Sequence, residues 1–177
     1  MEEMQWNDVL ATGIQTIDEQ HKRIVDLVNQ LRGAIERDDA EIAEHVLTDL
    51  VDYTVYHFSF EEELMEQSGY AMLPLHRRVH QLFTARIPQF QQRYAAGEDV
   101  LEELHDMLVR WLLHHIQNDD RSYADSVKEH LHEPPPKGDA AARAATAAPP
   151  PPRAAHPSAR KRKRSLWKRI MAFFSGT

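Results

Sequence analysis

The chain of 177 residues contains no cysteine. Disulfides, thiolate metal sites, iron–sulfur clusters and cysteine nucleophiles are therefore excluded, which fits a reducing compartment without requiring one. Long hydrophobic runs are also missing. No stretch of roughly 18 apolar residues occurs, so no membrane-spanning helix is predicted. The start, Met1-Glu2-Glu3-Met4, is acidic and lacks an apolar core, so no secretory signal is expected. Glycine is scarce as well. Between Asp18 and Glu133 only Gly33, Gly69 and Gly97 occur, and the only prolines are Pro74 and Pro88. Little in that span interrupts a helix.

Net charge is −7, but it is unevenly spread. Residues 134–177 carry ten Lys and Arg against one acid, Asp139, a net of +9. The preceding part carries 11 basic and 27 acidic residues, a net of −16. Eight of the ten prolines also follow residue 133. These shifts predict an acidic domain over 1–133, a disordered Pro/Ala-rich and basic linker over 134–164, and a short amphipathic helix over 165–177.

Within the first part the three glycines and Pro74 read as helix stops and starts. They predict helices over 18–36, 40–67, 74–95 and 99–130. Apolar residues recur at helical spacing in each. The stripes run through Ile14, Ile17, Ile24, Val28 and Leu31; then Ile42, Val46, Leu50, Tyr53 and Leu64; then Val79, Phe83, Ile87 and Phe90; then Leu101, Leu104, Leu108, Trp111 and Leu112. Four amphipathic helices with short connections predict an all-α, antiparallel up-and-down four-helix bundle. Pro88 should kink or end the third helix early.

Eleven histidines are present, and five fall on the stripes. His21 precedes Ile24 by three residues. His57 lies seven residues from both Leu50 and Leu64, with Glu61 one turn on. His76 and His80 share the face of Phe83 and Ile87, and His115 follows Trp111 by four. A single buried histidine is ordinarily just hydrogen-bonded. Five imidazoles and a carboxylate facing one axis would each leave polar atoms unsatisfied, at about 2 kcal/mol or more apiece. A metal uses those lone pairs together, and pairs at i, i+4 present both side chains on one side. Imidazole with carboxylate and no sulfur suits iron, manganese, zinc or copper. Glu102 and His105 have the Glu-x-x-His spacing of carboxylate-rich di-iron proteins, but no second such pair exists, so this one reads as surface.

The segments His57-Phe58-Ser59-Phe60-Glu61-Glu62, His76-Arg77-Arg78-Val79-His80 and Trp111-Leu112-Leu113-His114-His115-Ile116, followed by Asp120, resemble the hemerythrin family. Trp6, Ile14 and Ile17-Asp18-Glu19-Gln20-His21 resemble the start of its bacterial single-domain members. The resemblance spans roughly 4–131. It implies two non-haem iron ions joined by an oxo or hydroxo group. By this resemblance His76, His80 and His115 bind one iron, His21 and His57 bind the other, and Glu61 and Asp120 bridge. The second iron keeps an open position for O2. Phe58, Trp111, Leu112 and Ile116 flank the ligands and would exclude water from the bound O2. Helix geometry alone favours Asp119, four residues after His115. The family spacing favours Asp120, which requires a widened turn such as a π-bulge. Asp119 then reads as a solvated acid, as do Glu62, Glu63 and Glu66. His45, His105 and His114 are expected on flanks or surface, His130 and His132 at the last helix end, and His156 in the linker.

The implied function is reversible O2 storage, transport or delivery rather than catalysis. Two alternatives use the same site: an O2 or redox sensor, and a scavenger of peroxide or nitric oxide. In the tail, Leu166, Trp167, Ile170, Met171, Phe173 and Phe174 form one apolar arc opposite Lys168 and Arg169, after five consecutive basic residues. Residues 160–174 therefore predict contact with an anionic membrane surface, or else a protein partner, with nucleic acid the least favoured. The expected location is cytoplasmic, with peripheral attachment to the inner membrane face.

Overall fold

Asp18 fixes where the first helix begins. Its carboxylate accepts hydrogen bonds from the Thr12 backbone N–H and hydroxyl, both at 2.8 Å, and from the Gly13 N–H at 3.1 Å. Gly13 makes this reach possible with a φ of 79°, a left-handed conformation that costs glycine little. In this computed structural model, which describes residues 3–132, a short 3-10 turn, Asp8–Leu10, leads into α1, Gln15–Glu36. Then come α2, Ala40–Gln67; α3, Leu73–Thr84; α4, Ile87–Ala95; and α5, Leu101–His114. A π-helical turn, His115–Asp120, joins α5 to α6, Arg121–His132.

The helices stop for local reasons. Gly69, with φ of 67°, closes α2: the Tyr70 N–H donates to the Met65 carbonyl and the Gly69 N–H to that of Glu66. The first helix ends at Glu36, as expected. Gly33 lies inside α1, and the left-handed residue after that helix is Asp38, with φ of 52°. Asp39 then caps α2, its side chain accepting from the Ile42 N–H at 3.1 Å. The segment expected as one helix over 74–95 is two. Pro88 sits in the first turn of α4, where its missing N–H costs nothing, and the break falls just before it.

The four rods, with α3–α4 and α5–α6 as the composite ones, run up and down as a bundle, and no strand occurs among the described residues. No helix among them is long and apolar enough to cross a membrane. The apolar interior divides in two. A larger cluster includes Ile24, Leu50, Phe58, Phe83, Leu108, Leu112 and Ile116. A smaller one includes Ile14, Ile17, Met65, Leu73, Tyr123 and Val127. On every rod at least one buried histidine or acid falls between residues of the two clusters. His21 lies between Ile17 and Ile24, Glu61 between Phe58 and Met65, His76 and His80 between Leu73 and Phe83, and Asp120 between Ile116 and Tyr123.

Two stripe assignments need correction. Ile42, expected in the core, is 43% exposed, because it lies in the first turn of α2. His105, expected at the surface, is buried. The helix carrying it packs against α1 and also meets α3 through stacked Trp111 and Phe83 rings, so its buried arc is wider than one stripe. The predicted linker and C-terminal helix, and His156, lie outside the described residues.

Candidate metal centre

The four rods bring five imidazoles and two carboxylates to one buried point. His21, His57, Glu61, His76, His80, His115 and Asp120 are all essentially inaccessible to solvent. Each carboxylate divides its oxygens between two histidine groups. Glu61 Oε1 lies 3.8 Å from His21 Nε2 and 3.5 Å from His57 Nε2. Its Oε2 lies 3.7, 3.4 and 3.9 Å from the Nε2 atoms of His76, His80 and His115. Asp120 Oδ2 lies 3.3 Å from His21 Nε2, while Oδ1 lies 3.7 and 3.0 Å from those of His76 and His115. Glu61, His76, His80 and His115 form one compact set of donor atoms, and His21, His57 and Glu61 another.

The π turn brings Asp120 into this set. At 100° per residue, a residue five after His115 would point away in a regular helix. The wider turn over His115–Asp120 brings both inward, and both are buried.

The outer ring nitrogens show which atoms carry protons. His57 Nδ1 lies 2.9 Å from Gln20 Oε1, His80 Nδ1 lies 2.8 Å from Glu62 Oε1, and His115 Nδ1 lies 3.0 Å from Asp119 Oδ2. Carboxylates only accept, so Nδ1 of His80 and His115 carries hydrogen and donates outward. Their inward Nε2 atoms then hold lone pairs aimed at carboxylate oxygens and, for His80 and His115, at one another across 3.1 Å. Such a cluster sets acceptor against acceptor. Nε2 of His21, His57 and His76, Glu61 Oε2 and both Asp120 oxygens have no hydrogen-bond partner. The donor set fits cations of the kind that imidazole and carboxylate bind, with two carboxylates placed to be shared between two of them.

Without a cation, protonation of some of the histidines is the other way to relieve this clash, and the electrostatics of the polypeptide separate those that favour it from one that does not. Burial pushes His57 down to about 3, so it stays neutral and ready to donate a lone pair. Burial acts the same way on His115 and His80, but acids outweigh it: Asp120, Asp119 and Glu61 hold His115 well above its ordinary value, and Glu61 and Glu62 raise His80. Glu61 is held well below the carboxylate range, burial being overcome by His57 and the three histidines beside Oε2.

Two residues expected as solvated acids have other surroundings. Glu62 is only 22% exposed, accepts from His80 and takes a second hydrogen bond from Arg77 Nε at 2.9 Å. Asp119 is 28% exposed and accepts from His115. Glu63 and Glu66 are exposed as expected. Gln20 and Tyr123 were not singled out by the sequence. Tyr123, fully buried, donates its hydroxyl hydrogen to Glu61 Oε1 at 2.5 Å. Both lie on apolar lines, Gln20 with Ile17 and Ile24 and Tyr123 with Ile116 and Val127, which is the signal that would have found them.

Aromatic rings brace the same histidines. Phe58 stacks on His80 with centroids 3.7 Å apart, and Trp111 on His115 at 4.2 Å. A small cavity opens beside them, lined by Thr54, His57, Phe58, Trp111, Leu112 and His115 among others. The room in it for the centre of a water-sized sphere is ≈ 10 Å³, about the least that holds one such molecule. Ile116 is fully buried in the adjacent core but does not line this cavity.

Known proteins are similar to this chain in sequence and in fold. The profile of the Hemerythrin HHE cation binding domain matches residues 12–127. A bacteriohemerythrin of Pseudomonas aeruginosa (strain LESB58) is 48% identical over 134 residues, covering 75% of this chain and 87% of the relative. One of Stenotrophomonas maltophilia (strain R551-3) is 46% identical over 128 residues, covering 72% and 84%. The crystal structure of a mutant hemerythrin superposes with a TM-score of 0.66 at 29% identity, covering 72% of this chain and 98% of that one. With the fold, the buried cluster and these relatives in agreement, the chain belongs to the hemerythrin family.

Proposed function

We propose that the protein binds dioxygen reversibly at a pair of non-haem iron ions, as a carrier or store rather than as an enzyme. The observation that carries this reading is the split of Glu61 and Asp120, each turning one oxygen to His21 and the other to the group of His76 and His115. His76, His80 and His115 would hold one ion, His21 and His57 the other, with Glu61 and Asp120 shared. The group with fewer histidines leaves more room for a small ligand. Two irons held there would supply the electrons for reversible dioxygen binding.

The residues around the cluster have their own tasks. Gln20, Glu62 and Asp119 hold imidazoles by Nδ1 so that Nε2 faces inward. Phe58, Trp111 and Leu112 keep the cavity apolar, which disfavours the water and protons that promote irreversible oxidation. Apart from His57 and His115, the only polar residue lining it is Thr54. A wall with no acid or base beyond the histidines suits binding better than turnover. The name bacteriohemerythrin carried by the relatives supports the same reading.

The chain also divides in task. Residues 1–133 form the iron-binding domain, 134–164 a spacer, and 165–177 an amphipathic segment. That segment, with the basic run before it, holds the domain to the inner face of an anionic membrane. The tail's composition supports this.

Metal analysis with optical spectroscopy is the test. Purified protein should hold two irons per chain. It should be colourless when reduced without air, turn pink in air and revert under argon. Zinc, a single metal, or immediate irreversible oxidation would overturn the reading.

A further inference from the structure

The longest acid-free stretch of the strongly acidic domain runs from Gln67 to Gly97, and Arg77, Arg78, Arg86 and Arg93 all occur in it. That stretch is α3 and α4 with their flanks. Arg77 is neutralised by Glu62 and Glu66, and Arg93 by Glu98 and Glu103. Arg78 and Arg86 are exposed and form no ion pair among the described residues.

The same stretch gathers exposed apolar side chains. Of the six large hydrophobic residues exposed among the described residues, three are on α3 or its cap: Met72 at 51%, Leu75 at 58% and Leu82 at 54%. At 100° per residue, Met72, Leu75 and Leu82 fall within an arc of about 80°, Arg78 lies about 40° beyond it, and Arg86 follows the end of α3. Scattered exposed apolar residues are ordinary. Three on one arc, in the longest acid-free stretch of a domain with net charge −16, are a surface with a defined complement.

We propose that the outer face of α3, carrying Leu75, Leu82 and Arg78 with Met72 and Arg86 just beyond its two ends, is a second contact site for an anionic membrane. The inference extends the reading of residues 160–174 as a membrane segment and rests on it for the first attachment. The complement must be anionic as well as apolar. That disfavours the protein's own tail, which is cationic, and a symmetric contact between two copies of this face, which would oppose arginine to arginine. Aliphatic side chains with arginines at their edge fit the boundary between lipid tails and acidic headgroups.

Geometry allows both contacts at once. The described chain ends at His132, shortly after Val127, which packs in the same cluster as Leu73 at the start of α3. A Pro-rich spacer of about 30 residues would reach up to about 90 Å at about 3.1 Å per residue, enough to bring the tail to a plane that touches α3. A single weak attachment is readily reversible, and two together are not. Docked this way, the helix bearing His76 and His80 lies against the bilayer, with its histidine face turned inward to the cluster.

The absence of cysteine makes a direct test simple. Full-length, iron-loaded Leu82→Cys and Asp26→Cys proteins, each carrying an environment-sensitive fluorophore, are mixed with vesicles of phosphatidylcholine and phosphatidylglycerol in equal parts. The label at 82 should shift to the blue and the label at 26, on α1, should not. In sedimentation with the same vesicles, Met72→Ser/Leu75→Ser/Leu82→Ser and Arg78→Glu/Arg86→Glu should each weaken binding about tenfold or more. Circular dichroism and iron content identify any variant that misfolds. Bound protein with an unshifted label at 82 would overturn the inference and leave the tail reading standing. Unchanged binding of both face variants would do the same. A Trp167→Ser/Phe173→Ser/Phe174→Ser variant that still binds like the parent would overturn the tail reading instead. Absence of all binding would overturn both, and would favour an acidic protein as the partner.

Discussion

Tyr123 gives its hydroxyl hydrogen to Glu61 Oε1, the same oxygen that faces His21 and His57. One carboxylate is thus oriented from outside the cluster by a phenol and from inside by imidazoles. Burial and the charge of Glu61 hold that phenol well above its usual ionisation range, so it remains a donor at every pH the fold survives. Tyr123→Phe should remove a hydrogen bond to a charged group and cost about 1.5–3 kcal/mol of stability. Chemical denaturation of parent and variant measures this. An unchanged midpoint would mean that Glu61 is fixed by the other contacts alone.

Glu62 and Asp119 should govern how tightly the cluster holds metal. Both accept from histidines whose inner nitrogens face Glu61 or Asp120. Replacing a partner of this kind lowers metal affinity by about 10–100-fold. Glu62→Gln and Asp119→Asn should each show such a loss in competition with a chelator. Glu63→Gln, on the exposed side of α2, should not.

Acid should weaken the metal-free fold through His57. Its folded value of about 3 lies below the ordinary value near 6.5. Between the two, the unfolded chain binds a proton that the folded chain does not. Stability from this group is complete above about 6.5 and declines by about 1.4 kcal/mol per pH unit as the pH falls. Glu62 and Asp119, both lowered by their partners, lose their contribution as the pH falls through their folded values. His80 and His115, being raised, act the other way: their contribution is full in acid and is lost as the pH rises through their folded values. Removing His57 should therefore flatten the acid limb. Denaturation midpoints of the parent and His57→Gln between about pH 4 and pH 7 check this, and parallel curves would contradict it.

Leu112→Ala should enlarge the small cavity beside His57 and His115. The cost to stability is about 2–5 kcal/mol, the range for such truncations in a core. The widened cavity admits water, so the oxygenated colour should decay faster to the oxidised form. Time-resolved absorbance in air-saturated buffer measures the decay. A rate equal to the parent's would show that Leu112 does not control access.

Much of this was legible because helical periodicity is a strong signal. His21, His57, Glu61, His76, His80 and His115 sit on or beside apolar stripes, and the structure gathers them. What escaped lies across helices or off the stripe. Glu62 is one residue from Glu61 and reads as solvent-facing along α2, yet its partner His80 comes from α3. Asp119 has the regular i+4 spacing to His115 and meets it at Nδ1, on the outer side of the ring. Periodicity reports which way a residue points, and these roles depend on which atom of a neighbouring ring it meets. Pro88 was visible as a disruption, but only the break between Thr84 and Ile87 shows that it begins a new helix.

The wide turn at His115–Asp120 makes the last rod continuous in axis but offset in phase. Wound as a regular helix, the same residues would carry everything after them round by about 100°. Tyr123 and Val127 would swing away from Met65 and Leu73, and Asp120 away from His21. The smaller half of the core and the second carboxylate thus depend on the turn staying wide. A single-codon deletion on its outer surface would instead let a regular helix form with the phase kept, because Asp120 would then stand four residues after His115.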